Sequence, residues 1–161
     1  MKASYTRSRR AAKASIRYIA NRPGRDGKRL VRTLFNADGK MERVEAYQMV
    51  DQAKTGSYFF RLVISPDPQK EDSRRDLSIR EIAEKTMQAL EDRFKQQLQW
   101  VGAIHADHAP HRHVHLVAIL PGRLQVHDLT NLREAATSLA LEQRRQLDLA
   151  RETQEREERA W

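Results

Sequence analysis

Five of the six histidines in this 161-residue chain fall within one stretch of eleven residues, His105-Ala-Asp-His108-Ala-Pro-His111-Arg-His113-Val-His115. Neutral imidazole is the commonest protein ligand for a transition metal. Apolar runs flank the stretch, residues 100–104 before it and 114–120 after it, and both read as strands. An expression tag or a low-complexity tract would lack those flanks. The pattern therefore predicts a histidine-bearing β-hairpin as the active site.

Strand periodicity says which of the imidazoles can meet. Side chains at i and i+2 share a face, so His113 and His115 point the same way, about 6–7 Å apart along the backbone. With the loop centred near Ala109, opposed residues have numbers summing to about 218, which sets His105 across from His113 on that same face. Val114, Leu116 and Ala118 then face the other way with Ile104 and Trp100, and can bury against a helix. Three nitrogens on one side leave positions on a metal open for water or a substrate oxygen, as catalytic sites require. His111 sits at the loop edge and His108 in the loop, each a spectator, a substrate contact or an alternative ligand.

The elements around the hairpin follow from pattern and punctuation. Residues 9–21 read as a helix with Ala12, Ile16 and Ile19 on one face, stopped by Pro23 and Gly24. Residues 32–35 and 41–44 flank a hairpin turn at Asp38-Gly39, and residues 45–54 form a short helix. Residues 58–64 are a strand closed by Ser65-Pro-Asp-Pro. Residues 77–98 form the longest apolar-striped helix, with Ser78 and Glu81 as a capping box. From about 128 a charged helix runs to the end, anchored sparsely by Leu132, Leu139 and Leu147. No internal repeat is found. An α+β fold is expected, a central antiparallel sheet with helices packed on its faces; covering one face is the economical minimum.

Composition bounds the function. No run of eighteen apolar residues is present, so no membrane span is expected, and no secretory signal is visible. Absence of cysteine excludes disulfides and thiolate metal sites and fits a cytoplasmic location. Net charge is +8, and residues 1–50 hold thirteen Lys/Arg against four Asp/Glu, so the rest of the chain is close to neutral. A one-ended excess suits a polyanion such as nucleic acid, solubility charge being the plainer alternative. Arg7, Arg9, Arg10, Arg22, Arg25, Lys28, Arg29 and Arg32 are placed to track phosphates, with Arg22, Arg25, Lys28 and Arg29 as the core set.

The histidine stretch, from Ala103 to Val117, resembles the third motif of the mobilization (Mob-type) relaxases of conjugative plasmids, within the HUH endonucleases. In that family a His-hydrophobic-His pair and a third histidine from the neighbouring strand hold a divalent metal; the matching positions are His113, His115 and His105. Relaxases also use a nucleophilic tyrosine on an early helix, and Arg17-Tyr-Ile-Ala-Asn-Arg-Pro-Gly24 is similar to that context with one extra residue. Tyr18 lies about 200° round the helix from Ile16, off the apolar stripe, and Tyr5 is the fallback. The resemblance covers residues 9–120, with residues 59–66 matching the family's central strand. It implies a relaxase-like nicking domain over residues 1–127, with a charged helix over 128–161 leading to further domains. The implied activity is nicking of single-stranded DNA at a plasmid transfer origin, with Tyr18 joined to the 5′-phosphate. The implied cofactor is Mg²⁺ or Mn²⁺, although imidazole ligation also suits Zn²⁺, Ni²⁺ or Co²⁺. Accessory relaxosome proteins and a coupling protein are the further partners it implies.

Two departures stand out. Relaxases often carry an acid on or before the central strand to orient a ligating histidine; here Arg61 is found, with Asp67 and Asp107 as substitutes. The first strand is a stub, residues 2–6. Two other readings compete. His111-Arg-His-Val-His115-Leu-Val approaches the motif of the histidine-triad nucleotide hydrolases, broken by Arg112. A catalytically inactive relaxase-like DNA-binding module is the other.

Overall fold

The computed structural model describes residues 1–24, 26–106 and 111–161. In chain order the elements are β1 (Lys2–Thr6), α1 (Arg9–Asn21), β2 (Leu34–Asn36), β3 (Gly39–Met41), α2 (Arg43–Asp51), β4 (Tyr58–Ile64), α3 (Ile79–Phe94), β5 (Trp100–His105), β6 (His113–Leu120) and α4 (Val126–Arg159). The strands form one antiparallel sheet in the order β1-β4-β6-β5-β2-β3. The fold is therefore α+β, as the element order predicts.

Helices cover both faces, beyond the single covered face of the economical packing. On one, α3 and α4 bury Ile82, Met87, Leu90, Leu132 and Ala136 against Phe60, Leu62, Trp100, Val114, Leu116 and Ala118. On the other, α1 and α2 bury Ala12, Ile16, Ile19, Met49 and Val50 against Phe59, Val101, Ala103 and Val117. Two-sided burial explains why β4, β5 and β6 read as near-continuous apolar runs. Gly102 is required where β5 passes β2: a Cβ there would lie 2.7 Å from Leu116 Cδ2 and 3.0 Å from Phe35 Cζ.

Local expectations hold with a few shifts. β1 has the expected bounds, residues 2–6, and all five of its residues pair with β4. Asn36 pairs with Gly39, so the β2–β3 turn is Ala37-Asp38, one residue earlier than expected. Ser78 Oγ caps α3 by accepting from the Glu81 N–H at 3.2 Å. The reciprocal half of that capping box is replaced, because the Ser78 N–H donates to Gln143 Oε1 of α4 at 2.8 Å. In α4 the buried apolar positions are Leu132, Ala136 and Ala140, while Leu147 is exposed; small residues let α4 lie close to α3.

Candidate metal centre

The register of β5 and β6 brings the histidines together. Trp100 pairs with Ala118 and His105 with His113, so paired numbers sum to 218 throughout, as a loop centred on Ala109 requires. The ring centroids of His105 and His113 are 5.2 Å apart, those of His105 and His115 4.4 Å, and those of His113 and His115 5.0 Å. One nitrogen from each lies within 4.8 Å of the others. His105 is fully buried and His113 nearly so, with His115 half-buried.

Hydrogen bonding fixes which nitrogens are available. His105 Nε2 lies 2.9 Å from the carbonyl oxygen of Ile19. A carbonyl only accepts, so Nε2 carries the proton and Nδ1 keeps its lone pair. His105 Nδ1 and His115 Nε2 are both buried and have no hydrogen-bond partner. Buried polar atoms without partners are rare and each needs a reason; a cation between these imidazoles would satisfy both. The donor set fits a metal, and His105, His113 and His115 are the residues that could hold it.

The imidazoles are also kept in the protonation state that ligation needs. Burial first, then the charges of His115 and Arg32, push His105 down to about 3. Burial, then His113 and Arg22, push His115 down to about 4. Burial lowers His113 too, opposed by a hydrogen bond to the backbone of His111. All three are neutral at pH 7.

Tyr18 comes to the rim of this cluster. Its ring centroid is 6.4 Å from that of His115 in an edge-on arrangement, and the residue is 52% exposed. Tyr18 is carried by α1, which is capped by Ser8, whose Oγ accepts from the Ala11 N–H, and which ends before Pro23. Ala12, Ile16 and Ile19 face the sheet, leaving Tyr18 on the flank that meets His115. Arg22, one turn later, holds its guanidinium 5.7 Å from the Tyr18 ring centroid. Tyr5 is excluded as a substitute by geometry. It pairs with Phe60 and stacks on it at 5.6 Å, on the sheet face opposite the histidines.

No family model, curated protein or solved structure matches this chain. The site is therefore read from its own atoms. Among the described residues no acid orients the histidines: the Asp67 carboxylate accepts from the N–H groups of Gln69 and Lys70, and Asp107 lies outside the described residues, as do His108 and Arg25. The Ile19 carbonyl does that work, and no side-chain pattern in the sequence signals a backbone group. Arg112, which breaks the alternating histidine motif, is bidentate on Asp72 at 2.7 and 2.8 Å and also donates to the Leu77 carbonyl at 2.9 Å. It ties the segment before α3 to the start of β6. Arg75 reinforces this by donating to the Ala106 carbonyl at 3.0 Å.

The basic residues divide. Arg22 and Arg32 stand near the imidazoles, as their effect on His115 shows. Arg32 is buried, and its side chain donates to the Arg22 carbonyl at 2.6 Å, folding the connection back onto α1. Lys28 and Arg29 are exposed on that connection, and the structure gives them no contact with the cluster. Arg9 is spent elsewhere, donating to the carbonyls of Val50 and Ala53 and so fastening α1 to α2. Arg7 lies over the Tyr58 ring. No described helix is long and apolar enough to cross a membrane.

Proposed function

We propose that this chain is a metal-dependent relaxase that nicks single-stranded DNA at a plasmid transfer origin. The observation that carries the reading is the meeting of His105, His113 and His115 beside the exposed Tyr18 phenol. In the proposed step Tyr18 Oη attacks the scissile phosphorus, its proton passing to solvent. The bond from phosphorus to the 3′-oxygen breaks, and that oxygen leaves as a 3′-hydroxyl after taking a proton from water. The 5′-phosphate remains on Tyr18. One phosphodiester is exchanged for another, so the strand can be rejoined.

A divalent cation held by His105 Nδ1, His115 Nε2 and a nitrogen of His113 would supply Lewis-acid stabilisation of charge developing on the phosphate. Three neutral nitrogens favour Mn²⁺ over Mg²⁺, which prefers oxygen ligands. Arg22 beside the Tyr18 ring supplies positive charge where the phosphate must approach. The histidine-triad alternative is supported less: Arg112 is committed to Asp72 where that motif wants an apolar residue.

The test is a covalent protein–DNA adduct that survives denaturant, formed from single-stranded origin DNA with Mn²⁺. Adduct from the wild type and none from Tyr18→Phe supports the reading. Adduct that persists in Tyr18→Phe reassigns the nucleophile. Tight DNA binding with no adduct under any divalent metal leaves the inactive DNA-binding module.

A further inference from the structure

Helix α1 covers only part of the histidine face. Its Ile16 and Ile19 pack over β5 and β6, while Ala11, Ala14 and Ser15 border an open cleft above β1 and β4. The cleft has a volume of 570 Å³ and runs up to Tyr18 and His115, with Arg61 and Ser4 in its floor. Among the described residues no carboxylate lines it.

Arg61 is the residue found where an acid was expected. It pairs with Val117 of β6 on one side and Ser4 of β1 on the other, which sets it on the histidine face. Val117 is two residues from His115, so Arg61 is a diagonal neighbour of that ligand, with Cα atoms about 7–8 Å apart. That is comparable with the spacing of successive phosphates along a nucleic-acid strand. Arg93, Arg112 and Arg144 are each committed to a carboxylate. Arg61 is exposed, and among the described residues its side chain makes no hydrogen bond, ion pair or ring contact. A planar fork of donors in a cleft without acids is matched to phosphate oxygens.

We propose that Arg61 forms a phosphate subsite in this cleft, gripping the DNA phosphate next to the one presented to Tyr18. The inference rests on the relaxase reading for the identity of the strand, and it adds a specific contact beside the reacting position. Ser4, exposed and directly across from Arg61, supplies a hydroxyl to the same phosphate. His105 is oriented by the Ile19 carbonyl, so the position held by Arg61 is left for substrate.

The experiment measures binding of a fluorescently labelled oligothymidylate by anisotropy across a salt series, using the full chain. Arg61→Ala is expected to weaken binding about tenfold or more at low salt. It should also reduce the slope of log affinity against log salt by about 0.7, the value for one phosphate contact on a single strand. Arg61→Lys keeps the charge and should restore the slope while recovering only part of the affinity. Lys85→Ala, on α3 and paired with Glu81 on the far side of the sheet, is the control expected to match wild type. Unchanged Mn²⁺ affinity in each variant shows that the fold is intact. Equal affinity and slope in Arg61→Ala and wild type overturn the subsite, as does an equal loss in Lys85→Ala. The adduct assay separates this outcome from failure of the wider reading. Adduct formation with no Arg61 effect sinks the subsite alone, and Arg61-dependent binding without adduct sinks the nicking activity alone. A wild type that does not bind the strand sinks both.

Discussion

His105 donates from Nε2 to the carbonyl oxygen of Ile19, the residue that follows Tyr18, across 2.9 Å. One hydrogen bond thus sets the tautomer of a candidate metal ligand and pins the helix that carries the candidate nucleophile. Ligand geometry and phenol position are coupled through a single backbone group, so displacement of α1 would disturb both.

Replacing any one of His105, His113 or His115 by alanine should reduce Mn²⁺ affinity by more than about 100-fold, since loss of an outer-sphere partner alone costs 10–100-fold. Titration calorimetry checks this. His127, exposed on α4 and remote from the cluster, is the control, and His127→Ala should bind as wild type.

Stability without metal should fall as pH drops below about 6.5. The unfolded chain protonates its histidines near 6.5, whereas His105 and His115 resist until about 3 and 4. Between those limits the unfolded state binds more protons, and stability declines by roughly 1 kcal/mol per pH unit for each histidine. Above pH 7 the contribution is flat. Urea unfolding in chelator at pH 7.0 and 5.5 (about one and a half units apart) reads it; a midpoint that does not move would show that the imidazoles are not held neutral. Saturating Mn²⁺ should raise the midpoint at both pH values, because only the folded state has the site.

Tyr18→Phe should leave thermal stability within about 0.5 kcal/mol, the range for exposed positions away from structural features, because the side chain stands on the rim of the cleft. Mn²⁺ affinity should also be unchanged. A large loss of stability would mean that the hydroxyl is structural.

Arg112→Ala strands Asp72, whose side chain is only 2% exposed. Removing one partner of a buried pair costs about 3–5 kcal/mol, and chemical denaturation should show a loss of that order. Because Arg112 anchors the start of β6, the variant should also weaken Mn²⁺ binding. A substitution that costs less than about 1 kcal/mol would mean that the pair is solvated.

Gly102→Val should destabilise by about 1–3 kcal/mol through overpacking against Leu116 and Phe35. A melting temperature equal to wild type would mean that both side chains can swing aside.

Much of the site was legible because its determinants are local. Alternation of His113, Val114, His115 and Leu116 specifies which side chains share a face, and the loop length sets the register that opposes His105 to His113. The 3.6-residue stripe of Ala12, Ile16 and Ile19 forces Tyr18 off the buried side of α1. The β2–β3 turn slipped by one residue because Asn36 uses its own side chain to accept from the Asp38 N–H, at 2.9 Å, a choice that composition alone does not reveal. Composition gives the amount of basic charge but not its placement: Arg9 donates to carbonyls at the end of α2, and Arg32 is buried.

Sequence alone determined the periodicities, the hairpin register and the cysteine-free candidate ligand set, because each depends on residue types and on neighbours a few residues apart. Tertiary structure decided what depends on distant segments meeting. It inserts β4 between β1 and β6, brings the Ile19 carbonyl to His105, closes Arg112 on Asp72 across forty residues, and leaves Arg61 in a cleft that α1 does not cover. The physical reason is that local patterns mark which face of an element is apolar, whereas competition for burial between whole elements chooses which face lies against which.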